Sequence, residues 1–377
     1  MTKKILLFIT AVILGISIAL FALVTFGEVR TYGDQVAKDC GNGKPAHTQL
    51  IKSAHPALKK LAQYEHLCKG AVVDQLMVFL PMPTTSAEAT SFADDAAGTL
   101  REFSKHGIAP LVLFEPSQTI PTVLRDMRSG HYDDILKQYY QRLHSHSVTS
   151  SQMGTWVLFP EANTPVWGNT DPDLFQANVT KVATLQKQYF PTSNISILLN
   201  SRSHPSDDSD WNKGQVTSLV PYLDHLPKGL LDSFGYQGFP SQSAANAATL
   251  YSSLQPGEYL PVAIAQQAVD TLGVSKVWLN TGTYATMYAS QPSQIVHQSP
   301  QQRRVALQGV LDQALAIRRA AVSVNIFAED KSDTAEAVDW SYWHGRTADQ
   351  SPDTRVLTDF IATLQQKKVG FSLYDNL

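Results

Sequence analysis

The chain is short of cysteine, short of charge and free of the usual nucleotide and metal signatures. Cys40 and Cys68 are the only cysteines in 377 residues. A disulfide-dense small domain and a cysteine-rich zinc site are therefore excluded. Two cysteines 28 positions apart, with no Cys or His pattern beside them, read as one disulfide closing a long loop; two unlinked thiols are the alternative. Charged residues make up 17% of the chain and the formal net charge is −3, with no long Lys/Arg block, so no nucleic-acid surface is expected. No GxGxxG or Walker-type loop follows an early strand, no GxSxG is present, and the eleven histidines lack HExxH spacing. The acidic run Asp207-Asp208-Ser209-Asp210 lacks the rest of a twelve-residue calcium loop and reads as a solvated loop. No cofactor and no metal is expected.

What is present begins with a charge-free apolar run from Ile5 to Phe26, 22 residues long, behind Lys3 and Lys4. At ~1.5 Å per residue it spans about 33 Å, enough to cross the hydrocarbon core of a bilayer. It reads as a single-pass membrane anchor, with the short basic end cytoplasmic and the rest of the chain outside. The alternative is a secreted protein after signal cleavage, for which Thr25-Phe26-Gly27 is a poor site. Residues 1–27 are thus an anchor or signal segment, 28–70 a juxtamembrane segment, and 71–377 the folded domain.

From residue 71 onward strand and helix signals alternate. Val72–Leu80, Ala109–Phe114, Thr155–Phe159, Ile195–Leu199, Leu230–Tyr236, Lys276–Leu279 and Val322–Phe327 are short apolar runs. Such runs suit strands buried on both faces, as in a parallel sheet. Helical spacing fills the gaps: Ala87–His106 stopped by Gly107, Tyr132 to Leu143, a helix after Asp171-Pro172-Asp173, Val305–Ile317 and, last in the chain, Val356–Leu364. The order and size predict an α/β fold, a (β/α)8 TIM barrel whose eighth strand is unassigned. A doubly wound open sheet is the alternative.

In such a barrel the chemistry sits where strands end. The sharpest strand end is Glu161, where the run from Thr155 stops at a carboxylate and a loop with Asn163, Pro165, Trp167 and Gly168 follows. A carboxylate beside tryptophan faces suggests a sugar ring as ligand; a plain turn acid is the bland alternative. Other polar strand ends are Glu115, Asn200, Asp232 or Tyr236, Asn280, and Glu329 or Asp330. Trp167, Trp340 and Trp343 follow strand ends in loops and are candidate sugar platforms, with loop packing the alternative, whereas Trp156 and Trp278 lie inside strands and read as core.

From about residue 76 to 345 the chain resembles glycoside hydrolase family 26, which includes β-mannanases, and its clan of (β/α)8 retaining glycosidases. The likeness is carried by Phe114-Glu115-Pro116, by Gly130 to Ile135 ahead of the family's fourth strand, by Trp156 to Trp167, and by Asp232 to Tyr236. It implies a glycosidase acting on a β-linked, mannan-type polysaccharide, with Glu161 as general acid/base. Pro160 stands where the family has His or Asn, and Asn280 stands where the clan carries its nucleophilic glutamate, at the end of the seventh strand. Asp232, Glu115, Glu329 or Asp330 is then expected to supply the second carboxylate. Separations of about 5–5.5 Å and about 6.5–9.5 Å mark retaining and inverting enzymes. Substrate-assisted chemistry through a neutral Asn280, and a barrel that binds glycan without cleaving it, remain open. Glu115, Trp167, Asn200, Tyr236, Asn280 and Trp343 are the expected substrate-binding set. The expected partners are a polysaccharide and, through residues 5–26, a lipid bilayer.

Overall fold

A computed structural model of the chain describes residues 58, 61, 75–116, 120, 122–163, 171–200, 220–237, 261–283, 286–288, 295–327, 338–339 and 352–374. Residues 5–26, Cys40, Cys68, Trp167, Glu329, Asp330, Trp340 and Trp343 lie outside them, and the expectations placed there with them. Among the described residues no helix is long and apolar enough to cross a membrane.

Eight parallel strands close into a barrel. In chain order they are β1 (Gln75–Phe79), β2 (Ala109–Phe114), β3 (Thr155–Leu158), β4 (Asn194–Asn200), β5 (Ser233–Gln237), β6 (Lys276–Thr281), β9 (Ala321–Phe327) and β11 (Gly370–Tyr374). Each pairs with its chain neighbour in that series, and β11 returns to β1. The short strands β7 (Thr286–Tyr288), β8 (Ile295–His297) and β10 (Val338–Asp339) form a separate antiparallel sheet from the connections after β6 and β9.

The helices start where local chemistry satisfies their first amides. Helix α1 (Ser86–Lys105) opens on a capping box between Thr85 and Glu88. After α2 (Val123–Arg128), α3 (Asp133–Ser145) and α4 (Ser150–Met153), α5 (Pro172–Tyr189) has Asp171 accepting from the Asp173 amide and Pro172 in its first turn. Then follow α6 (Val220–Leu223), α7 (Pro261–Leu272), α8 (Pro300–Ala316), with a Ser299–Gln302 capping box, and α9 (Pro352–Gln366).

Alternation along each strand sends one set of side chains out to the helices and the other into the lumen. Leu76, Val78, Val112, Phe114, Trp156, Ile195, Ile197, Val277 and Val324 belong to the large outer core. Met77, Leu111, Leu113, Val157, Leu198 and Trp278 form a second, inner cluster. Both strand tryptophans are buried as expected, Trp156 outside and Trp278 inside. Trp278 donates its indole N–H to Ser196 Oγ at 2.9 Å, from β6 to β4. Gly235 makes room for it, since a Cβ there would sit 2.2 Å from the indole.

At the amino-terminal end the lumen is plugged by polar side chains. Gln75 on β1 reaches Thr155 Oγ1 at 3.5 Å and receives the Lys276 ammonium at 3.0 Å, linking β1, β3 and β6. Burial of Lys276 away from water pulls its pKa down.

The strand count corrects three expectations. Lys276–Thr281 is the sixth barrel strand, not the seventh; the seventh is Ala321–Phe327. The strand leading to Glu161 is the third of the ring, where the resemblance implied a fourth. The chain does not end on a helix, because Gly370–Tyr374 supplies the eighth strand. Its apolar residues are broken by Gly370 and Ser372, so it carries no continuous apolar run.

Candidate active site

Strands β2 and β3 are neighbours, so the residues leaving their carboxy-terminal ends share one sector of the mouth. Glu115 immediately follows β2, and Glu161 lies three residues beyond β3. Backbone bonds hold both. The Met82 amide donates to the Glu115 carbonyl at 2.8 Å, continuing the β1–β2 pairing past the strand ends. The Glu161 amide donates to the Leu198 carbonyl at 2.7 Å, tying it to β4.

The local chain at Glu161 is a tight turn. The Ala162 amide bonds back to the Phe159 carbonyl at 3.2 Å, with Pro160 second and Glu161, at φ 58°, third. That is the residue pattern of a type II turn, in which Pro pre-sets the second position and the third normally calls for Gly. Pro160 therefore has a backbone reason to stand at this position. Glu161 occupies a left-handed conformation that costs a residue with a Cβ about 1–2 kcal/mol. It shares that conformation with Ser147, Phe159, Arg319 and Lys368, so the backbone alone does not set it apart. We expect Glu161→Gly to raise stability by about 0.5–1 kcal/mol in urea unfolding, after the greater freedom of unfolded glycine is counted. A loss of stability would show instead that the carboxylate makes net favourable contacts.

The two carboxyls feel each other. Glu115 is partly buried, and its pKa is pushed up to about 8, first by loss of solvent and second by the negative charge of Glu161. At neutral pH Glu115 accordingly holds its proton. A protonated carboxyl beside a second carboxylate is the arrangement that acid-assisted bond cleavage needs.

On the opposite side a neutral ladder of side chains runs from the mouth at Gln237 down into the lumen at Ser372, which is in register with Gln75. Gln237, Asn280, Asn325 and Ser372 stand in register on β5, β6, β9 and β11. Ser372 Oγ donates to Asn325 Oδ1 at 2.8 Å, Asn325 Nδ2 to Asn280 Oδ1 at 2.5 Å, and Asn280 Nδ2 to Gln237 Oε1 at 2.6 Å. Asn280 and Asn325 are buried, and the chain of bonds satisfies amides that would otherwise be costly to desolvate. Arg303 of α8, fully buried, donates to Thr283 Oγ1 at 3.0 Å and to its carbonyl at 2.8 Å, fixing the segment after β6. Asn280 is thus a linking member of an amide ladder.

Other expected site residues fall elsewhere. Asp232 precedes β5, at the amino-terminal end of the barrel, and accepts from the Ile195 amide at 2.8 Å and the Lys187 ammonium at 3.3 Å. A strand of five residues separates that end from the mouth, roughly 17 Å at about 3.3 Å per residue, so Asp232 is corrected from second catalytic carboxylate to structural acceptor. The sequence reading started the strand too early, at Leu230. Tyr236 is buried in the outer layer, where its hydroxyl donates to Gln313 of α8 at 3.3 Å; it faces the helices and not the lumen. Asn200 ends β4, in register with Gln237. Gln237, Asn325 and Ser372 went unmarked by the sequence reading. For Asn325 the signal is alternation, with Ser323 and Asn325 at alternate positions between Val322 and Ile326.

No protein-family model and no curated protein matches the sequence. Solved structures do match in fold. The GH5_18 protein of Bifidobacterium longum subsp. longum superposes with a TM-score of 0.52 at 12% identity, covering 87% of this chain and 78% of that one. A family 1 β-glucosidase from Thermotoga maritima superposes with a TM-score of 0.50 at 12% identity, covering 82% of this chain and 86% of that one. The (β/α)8 barrel is therefore of the kind found in glycoside hydrolases.

Proposed function

We propose that the protein is a glycoside hydrolase that cleaves a β-linked polysaccharide, mannan-type in the first instance, at the pair Glu115–Glu161. The observation that carries this reading is the pair itself: two carboxyls at adjoining strand ends of the mouth, one of them holding a proton. Glu115 donates that proton to the leaving glycosidic oxygen as the C–O bond breaks. The Glu161 carboxylate either attacks the anomeric carbon or takes a proton from the attacking water. These roles exchange the ones the sequence resemblance implied, where Glu161 was the acid. The barrel works outside the cytoplasm, held to a bilayer by residues 5–26; the charge-free run behind Lys3 and Lys4 supports this.

A second reading, a tethered barrel that binds glycan without cleaving it, is favoured by one observation. The strand end at Asn280 carries an amide engaged on both sides, not a carboxylate. Residues 28–377, wild type and Glu161→Gln, incubated with a panel of β-linked polysaccharides, separate the two. Hydrolysis by wild type that falls about 10³-fold in the variant supports the enzyme, and NMR of the first-formed anomer tells retention from inversion. Binding by both proteins with hydrolysis by neither would establish the second reading.

A further inference from the structure

Phe79 closes β1 at the carboxy-terminal end. Its alternate neighbours below, Gln75 and Met77, both point into the lumen: Gln75 bonds side chains on β3 and β6, and Met77 Sδ lies 3.5 Å from Asn325 Nδ2 on β9. Alternation therefore carries Phe79 inward as well, at the top of the same row. There it emerges into solvent. With 38% of its surface exposed, it is one of two exposed large hydrophobics among the described residues; the other, Leu315, is on helix α8. The ring is not on a loose loop. Phe79 pairs with Leu113, the Leu80 amide donates to the Leu113 carbonyl at 3.1 Å, and Leu113 is the inward residue just before Glu115 on the alternate register. An ordered, exposed benzene ring thus stands on the strand adjoining the one that delivers Glu115. It offers no hydrogen bond, so its partner must present an apolar face, and the C–H face of a pyranose does so while its hydroxyls point sideways to polar groups.

We propose that Phe79 is the aromatic platform of a sugar subsite on the β1 side of the carboxyl pair, stacking on one pyranose ring of the bound saccharide. This rests on the reading of Glu115 and Glu161 as a glycosidase centre. The subsite fixes the ring next to the scissile bond, so it contributes to binding more than to the chemical step.

The test uses residues 28–377 with the β-1,4-linked hexaoses of mannose, glucose and galactose. Affinity is measured by calorimetry in the Glu161→Gln background, and kcat and KM in the wild-type background. We expect Phe79→Ala to weaken binding and raise KM about tenfold or more, with kcat changed much less, while Phe79→Trp and Phe79→Tyr stay within about threefold of the parent. Melting temperature is expected to be unchanged in Phe79→Ala. An unchanged affinity and KM in Phe79→Ala, with hydrolysis intact in the parent, would overturn the platform alone. A large fall in melting temperature would also overturn it, by showing that the ring belongs to the core. If the wild type neither binds nor cleaves any hexaose, the glycosidase reading fails and the platform falls with it.

Discussion

Hydrolysis by the wild-type protein is expected to decline as pH rises through about 8, the pKa of Glu115, because the leaving oxygen then loses its acid. Glu115→Gln should lower kcat/KM by about 10²–10⁴-fold and leave a residual rate without that alkaline limb. Glu161→Gln removes the charge that helps raise Glu115, so what activity remains should lose its limb at lower pH. The same group leaves a mark on stability. A carboxyl raised from 4.5 to about 8 is protonated more readily in the folded than in the unfolded chain. Its penalty is absent below pH 4.5, grows as pH rises towards 8 and is complete beyond. Urea unfolding of the wild type should therefore weaken by roughly 2–4 kcal/mol across that window, with the partial exposure of Glu115 discounted. Glu115→Gln should flatten the slope and be the more stable protein at pH 9. A variant that shares the wild-type slope would show that Glu115 titrates normally and is not the acid.

The second large effect concerns the lumen. Gly235→Ala would place a methyl 2.2 Å from the Trp278 ring, which is itself held by Ser196 at 2.9 Å and closed in by the inner cluster. Neither backbone nor indole can retreat, so we expect a loss of about 3 kcal/mol or more, at the upper end of overpacking costs. Combining Gly235→Ala with Trp278→Phe should recover part of it, and the shortfall from additivity measures the clash. A double variant as unstable as the sum of the two singles would place the cost of Gly235→Ala in the strand backbone instead.

Much of this architecture was legible in the residues, for identifiable reasons. Seven strands announced themselves because both of their faces are covered, which makes them mainly apolar, most fully in Ala109–Phe114. The eighth did not. Gly370 is there because a Cβ would come within 2.9 Å of Ser323, and Ser372 because it donates to Asn325. Both are demands of strands far away in sequence, and they erase the local signal. Glu115 and Glu161 are legible as the ends of consecutive strands, which adjoin in the expected barrel; the burial of Glu115, which with the charge of Glu161 raises its pKa, depends on the folded surroundings and is not legible. Asp232 misled because a carboxylate before a strand and one after it look alike in a short apolar run. Pro160 stands out in sequence only as a departure from the resemblance, since the turn it belongs to, with the positive φ of Glu161, has no signature in composition.

The plug of Gln75, Thr155 and Lys276 at the amino-terminal end has a consequence for traffic. With Trp278 filling the space above it, the barrel is a cup and not a pipe. Whatever reaches Glu115 comes in through the mouth, and on the proposed glycosidase reading both halves of a cut saccharide share that one exit.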